Sequence, residues 1–299
     1  MSFSSQVKAE LCRDRIQRRC CAQAEACGVL LYCNRFSPQE VRIVTESDTF
    51  ARRLPTLFHR AFGLEFDSRG DPDSPKQIFS VTDRQKLSLL WDLCAFDPAG
   101  LAHHINFGLM EETHCRQAFL RGAFLAGGSV TDPLKGYHLE FSTSHRSVSR
   151  ELAALLREAG SAPKEAIRKG NHIVYFKQSE AVEDLLTVIG APICAMDIMN
   201  AKAEKNLRNG VNRRVNCDAA NLGKTVDAAM EQRQAIQALR AAGVFDDLSP
   251  KLQEAALLRE ASPELSLSQL AVLFDPPVTK SSLSHRLRKL IELSQKLEG

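Results

Sequence analysis

One order of elements occurs twice in this chain, and that repetition limits the possible folds more than any other feature. Residues 20–31 read as a helix of small and apolar residues. A hairpin follows, with strands at 31–36 and 39–45 around Ser37-Pro38. Asp48 then caps a helix bearing Phe50, Leu54, Leu57, Phe58 and Phe62 on one face. Pro55 should kink this helix and Gly63 closes it. A second hairpin, 64–66 with 77–81, surrounds the Gly/Pro/Asp-rich stretch 67–75, and a helix over 83–93 completes the unit. The same order returns about 94 residues later. It comprises a helix over 114–127, strands at 129–131 and 137–143, and a helix over 147–159 stopped by Gly160. Strands at 166–168 and 172–176 and a helix over 179–189 stopped by Gly190 complete it.

The first helix of each repeat is built from small residues for a steric reason. Two helices cross closely only where side chains are small, and Gly28 and Gly122 would occupy such a crossing. The second of these helices ends on Gly127-Gly128, which permits an abrupt turn into a strand.

Beyond the repeats the sequence changes character. A helix over 191–208 leads into Arg208-Asn209-Gly210-Val211-Asn212-Arg213-Arg214-Val215-Asn216. This Asn-rich, Arg-bearing stretch either binds phosphate through Arg213 and Arg214 or is a linker whose Asn side chains satisfy backbone groups. A helix over 225–242 is closed by Gly243. Ser249 and Pro250 open the next, and Ser266-Leu267-Ser268-Gln269 has the form of a capping box. Pro276-Pro277 then forbid continuation. Last comes Lys280-Ser281-Ser282-Leu283-Ser284-His285-Arg286-Leu287-Arg288-Lys289-Leu290, which Thr279 can cap. Leu283, Leu287, Leu290 and Ile291 follow the i, i+4, i+7, i+8 spacing of one apolar stripe. Ser281, His285 and Arg288 fall opposite, Ser282 and Lys289 flank them, and Arg286 lies at the stripe's edge. Such a helix is either an ordinary solvated basic face or the reading helix of a helix-turn-helix, set in a DNA major groove with hydroxyls and Arg on base edges and other cations on phosphates. The two short helices before it favour the second reading, although its turn is longer than the usual three or four residues.

Charge distribution agrees. Residues 1–199 hold 24 cations and 24 acids, and residues 200–299 hold 15 and 12, so the whole excess of +3 lies in the C-terminal third. With 299 residues, two domains are expected on length. No apolar run approaches the length of a membrane span. Nine cysteines, at 12, 20, 21, 27, 33, 94, 115, 194 and 217, show no Cys-x-x-Cys spacing and read as reduced thiols of a cytosolic protein. His103-His104 with His114 and Cys115 match no zinc pattern, and Cys20-Cys21 with Cys12 read as packing thiols, so neither metal nor cofactor is expected.

The repeat order and Leu120–Gly128 resemble the LAGLIDADG homing endonucleases. In that family two motif helices pack together, two saddle-shaped sheets lie over DNA, and an acid at the eighth motif position of each helix binds the catalytic metal. The corresponding residues here are Cys33 and Gly127, neither of which can be that carboxylate. Arg121–Val130, the Asn/Arg stretch with Ala219-Ala220-Asn221-Leu222-Gly223-Lys224-Thr225, the opening Met-Ser-Phe-Ser-Ser and the Ser-His-Arg-Leu-Arg-Lys-Leu run together resemble the WhiA family of bacterial DNA-binding regulators over essentially the whole chain.

The resulting expectation is an α+β chain. LAGLIDADG-like repeats occupy 1–110 and 111–200, a helical linker 201–244 and a helix-turn-helix domain, similar to the DNA-reading end of a sigma factor, 245–299. It would be no enzyme but a sequence-specific regulator in the cytoplasm, associated with the nucleoid. The resemblance implies roles in transcription, cell division and chromosome segregation, and in sporulation where the organism sporulates. The expected partner is double-stranded DNA, contacted by Lys280, Ser281, Ser282, His285, Arg286, Arg288 and Lys289, with Arg213 and Arg214 as further contacts. In some relatives a WhiB-type protein or RNA polymerase would join it. The competing readings are an architectural nucleoid protein with little sequence choice and an active endonuclease.

Overall fold

The computed structural model describes residues 2–70, 74–97, 100 and 102–297, and it divides into two compact units, Met1–Lys205 and Asn206–Gly299. The fold is α+β.

In the first unit, α1 (Phe3–Leu11) precedes α2 (Arg19–Tyr32), β1 (Arg35–Ser37), β2 (Glu40–Thr45), α3 (Asp48–Phe62), β3 (Ser68–Arg69), β4 (Gln77–Val81) and α4 (Arg84–Cys94). A 3-10 turn at Phe107–Met110 leads into the second copy. That copy comprises α5 (Thr113–Gly127), β5 (Gly128–Val130), β6 (Leu139–Thr143), α6 (Arg146–Glu158), β7 (Lys164–Arg168), β8 (Asn171–Phe176) and α7 (Ser179–Ile189). Two antiparallel four-stranded sheets have matching orders, β1-β2-β4-β3 and β5-β6-β8-β7. Alternation explains their faces. Val41 and Ile43 of β2 are buried while Arg42 between them is exposed. The expected strand at 64–66 is corrected: Leu64 and Phe66 pack into the core, and β3 forms two residues later. Of the 67–75 turn, residues 71–73 lie outside the described residues. Ser47 rather than Asp48 caps α3, accepting from the Phe50 N–H.

The two motif helices touch where the glycines predict. A Cβ on Gly28 would lie 2.3 Å from the Phe119 carbonyl oxygen, and one on Gly122 would lie 1.9 Å from that of Glu25. The first helix carries Glu25, whose carboxylate accepts two hydrogen bonds from the Arg53 guanidinium of α3, at 2.6 and 2.8 Å. Both side chains are nearly fully buried. The geometry is bidentate, and Arg53 Nη1 also donates to the Cys12 and Asp14 carbonyls, so four of the five guanidinium N–H groups are bonded. Cys27 of α2 and Cys94 of α4 are joined by a disulfide, which corrects the expectation of nine free thiols. The bridged residues are 67 apart in sequence but meet in the buried core.

The helices expected over 191–208 and 225–242 are one continuous helix, α8 (Pro192–Ala241), which runs through the Asn/Arg stretch between them. Residues 203–224 of it are exposed on every side, and Gly210 and Gly223 meet nothing within 4 Å. Its roughly six glycine- and asparagine-rich turns gain no tertiary packing there, so local hydrogen bonds alone carry them. The second unit continues with α9 (Pro250–Ala261), α10 (Leu267–Val272) and α11 (Lys280–Gln295). Its core combines Ala255, Ala256, Leu270, Ala271, Phe274, Leu283, Leu287 and Leu290 with Ile236 and Leu239 of α8 and Phe245. Three short helices alone would bury little apolar surface, and the end of α8 supplies the rest.

Candidate nucleic-acid interface

The candidate interface is the front of α11. Thr279 accepts a hydrogen bond from the Ser282 N–H at 3.2 Å, fixing the start of the helix. Leu283, Leu287 and Leu290 are each at most 1% exposed, and burying each side chain contributes roughly 2 kcal/mol. This fixes the rotation of the helix about its axis. Lys280, Ser281, His285, Arg288 and Lys289 are therefore exposed together, while Ser282 is half-buried. The helix before it carries the full expected capping box, with Ser266 and Gln269 bonded reciprocally. Between them, residues 273–279 form the turn, drawn in by a hydrogen bond from Val278 N–H to the Ala271 carbonyl at 3.0 Å. Buried Arg259 braces the same corner from α9, donating to the Leu265 carbonyl at 2.7 Å.

Arg286 is placed differently from its neighbours. Its guanidinium lies 5.3 Å from the Phe274 ring centroid and 3.7 Å from a Glu254 carboxylate oxygen, an ion-pair separation longer than a hydrogen bond. Only 16% of the side chain is exposed. It braces α11 against α9 and the turn instead of joining the exposed front. Lys289 is shared with Glu292 one turn on, at 3.6 Å. Arg213 and Arg214 project from the exposed middle of α8, unpacked against any core.

Cys33 and Gly127, expected at the places of the nuclease carboxylates, lie at the C-terminal ends of α2 and α5. The Cys33 sulfur lies 3.1 Å from both the Leu30 and the Arg35 carbonyl oxygens, which share its one S–H. Burial pushes it up to about 12, so it stays neutral. A Cβ on Gly127 would lie 2.5 Å from the Ser142 carbonyl oxygen, leaving no room for a carboxylate side chain without backbone movement.

Elsewhere the structure brings together residues that the sequence kept apart. Cys20, Cys21, His114 and Cys115 place their ligand atoms within 4.8 Å of one another. Cys12, expected as a packing thiol, lies outside this cluster; burial pushes its thiol up to about 11 beside Arg53. His103 and His104 also separate, His103 bonding to the Phe36 carbonyl and His104 to Glu151.

Two family models match the chain: the WhiA LAGLIDADG-like domain over residues 116–208, and the WhiA C-terminal HTH domain over 211–294. A relative from Ruminiclostridium cellulolyticum, named probable cell division protein WhiA, is 36% identical over 309 residues, covering 99% of this chain and 98% of its own. The chain belongs to the WhiA family. An Alkaliphilus metalliredigens relative of the same name is 34% identical across 100% of this chain and 99% of its own. The crystal structure of full-length WhiA from Thermotoga maritima superposes with a TM-score of 0.59 at 22% identity, covering 99% of both chains, and shares the fold. The second family model begins at Val211, inside α8, and so takes in the part of that helix that builds the C-terminal core. No helix among the described residues is long and apolar enough to cross a membrane.

Proposed function

We propose that this WhiA-family chain is a sequence-reading regulator that binds double-stranded DNA through α11. The observation that carries the reading is the division of that helix into a fully buried Leu283/Leu287/Leu290 back and an exposed Lys/Ser/His/Arg front inside a helix-turn-helix. Ser281, His285 and Arg288 contact base edges. Lys280, Ser282 and Lys289 meet phosphates at the positive, hydrogen-bond-donating end and flank of the helix. Arg286 positions the helix and leaves the set of direct contacts. Arg213 and Arg214 add phosphate contacts from α8, whose exposed stretch 203–224 holds five cations against two acids.

The regulator acts in transcription, cell division and chromosome segregation, and in sporulation where the host sporulates. It is cytoplasmic and nucleoid-associated, with RNA polymerase or a WhiB-type protein as partner in some settings. The N-terminal unit is a homing-endonuclease scaffold without nuclease chemistry, because Cys33 and Gly127 stand where two metal-binding carboxylates are required. The domain boundaries that follow from the sequence, 1–110, 111–200, 201–244 and 245–299, are proposed as units of descent; the C-terminal folding core reaches back to Ile236.

A second reading, an architectural protein with little sequence choice, is favoured by the exposed cationic stretch of α8. Affinity measured on a selected duplex and on random duplex at two salt concentrations separates the two. A regulator discriminates by roughly 10³-fold or more. An architectural protein shows nearly equal affinities that fall together with salt.

A further inference from the structure

We propose that Cys20, Cys21, His114 and Cys115 form a tetrahedral zinc site that pins together the N-terminal ends of the two motif helices. Repeat symmetry explains the convergence. Cys20 and His114 stand one repeat apart, as do Cys21 and Cys115, and Gly28 and Gly122 at the crossing share that offset of about 94 residues. Each pair occupies the second and third positions of its helix, α2 or α5. When the helices cross glycine on glycine, the two pairs are brought face to face near the helix starts.

The distances suit the metal. His114 Nδ1 lies 3.3 Å from Cys21 Sγ and 3.1 Å from Cys115 Sγ, and all four ligand atoms fall within 4.8 Å. Zn–S bonds of about 2.3 Å and a Zn–N bond of about 2.0 Å in a tetrahedron set ligand atoms roughly 3.5–3.8 Å apart, so sub-ångström side-chain adjustments close the shell. Three thiolates and one imidazole are soft and borderline donors that select zinc over magnesium or calcium, and four protein ligands make a closed, structural site.

Electrostatics favour the same occupant. A zinc ion with three thiolates and a neutral imidazole carries one net negative charge. It would sit between two helix N-termini, neither of which has a side-chain cap, with Arg18 at the start of α2 and Glu112 at the start of α5 offsetting each other and the helix ends supplying the positive field. The site lies at a rim: Cys20 is exposed and Cys115 buried, so an ion can enter without unfolding the unit. Its place at the start of the motif helices separates it from Cys33 and Gly127 at their far ends.

The test uses the full-length chain, purified under reducing conditions without chelator. Metal analysis should find one zinc per chain. Cobalt(II) substituted for it should give the thiolate-to-cobalt charge-transfer and ligand-field bands of a tetrahedral sulfur-rich site. Mass-mapped alkylation adds an internal control. Zinc should slow modification of Cys20, Cys21 and Cys115 by about tenfold or more relative to the chelated protein, while exposed Cys217 reacts equally in both. The Cys21→Ser/Cys115→Ser double substitution should lose the zinc; if that variant does not fold, the cobalt spectrum and the protection pattern of the unsubstituted chain decide. Absence of zinc, copper or iron in its place, a disulfide among these cysteines in anaerobically handled protein, or alkylation rates unchanged by chelation would each overturn the proposal.

Discussion

Gly122→Ala tests the helix crossing on which the N-terminal unit is built. The added methyl would lie 1.9 Å from the Glu25 carbonyl oxygen, and ordinary contact begins near 3.4 Å, so the helices must part by about 1.5 Å. Nothing in the contact is flexible, because the clashing atom is backbone. Parting them also strains the bidentate Glu25–Arg53 pair, whose side chains are both nearly fully buried. Overpacking in a dense core costs about 1–3 kcal/mol, and the disturbed buried ion pair raises the expected loss to about 3 kcal/mol or more. The sole tryptophan, Trp91, is buried in the N-terminal unit, so its fluorescence during urea unfolding reports on that unit. Gly210→Ala is the control. It lies in a helix with nothing within 4 Å, and removing a helical glycine there should leave the Trp91 midpoint unchanged while slowing amide exchange in α8, a gain of about 0.5–1 kcal/mol. A Gly122→Ala protein unfolding within about 0.5 kcal/mol of the parent would refute the close crossing.

Other perturbations address other parts of the molecule. Arg288→Ala should cost about 1–3 kcal/mol on a selected duplex and little on random duplex, as measured by fluorescence anisotropy; an equal loss on both would make it a phosphate contact. Leu287→Ala should destabilise the C-terminal core by about 2–5 kcal/mol and weaken DNA binding while leaving the Trp91 transition in place, and unaltered far-ultraviolet melting would contradict its burial. His145 packs against His103 with ring centroids 4.4 Å apart, and burial holds its pKa down at about 4. The unfolded chain binds that proton near pH 6.5, so stability is complete above 6.5 and falls as pH drops from there toward 4. His145→Gln should flatten most of that slope in urea midpoints measured across the range.

How much of this was legible in the sequence varies with the kind of information each feature needs. The repeat was legible because hairpin alternation and stopping glycines are local signals; Gly63, Gly160 and Gly190 all adopt the positive φ that ends a helix. Helix α11 was legible because Leu283, Leu287 and Leu290 recur at helical spacing and fix its buried back. The middle of α8 was misread because Asn and Gly lower helix propensity, and only the continuous backbone ladder overrides them. Arg286 sat at the edge of the stripe, and nothing in the sequence reveals that Glu254 and Phe274 hold it. The Cys/His cluster and the Cys27–Cys94 disulfide were invisible for a shared reason. Their members lie 93 and 67 residues apart, and motif spacing registers only ligands that are near in sequence. The equal offset of both Cys/His pairs was a usable signal once the repeat itself had been recognised.

The most direct test of the account is enrichment of fragmented host genomic DNA by the full-length chain at two salt concentrations, beside the Ser281→Ala/His285→Ala/Arg288→Ala variant, whose substitutions all fall on exposed positions of α11. The account predicts a few discrete sites that persist at the higher salt and vanish in the variant. Broad enrichment that collapses with salt, or discrete sites retained by the variant, would contradict it.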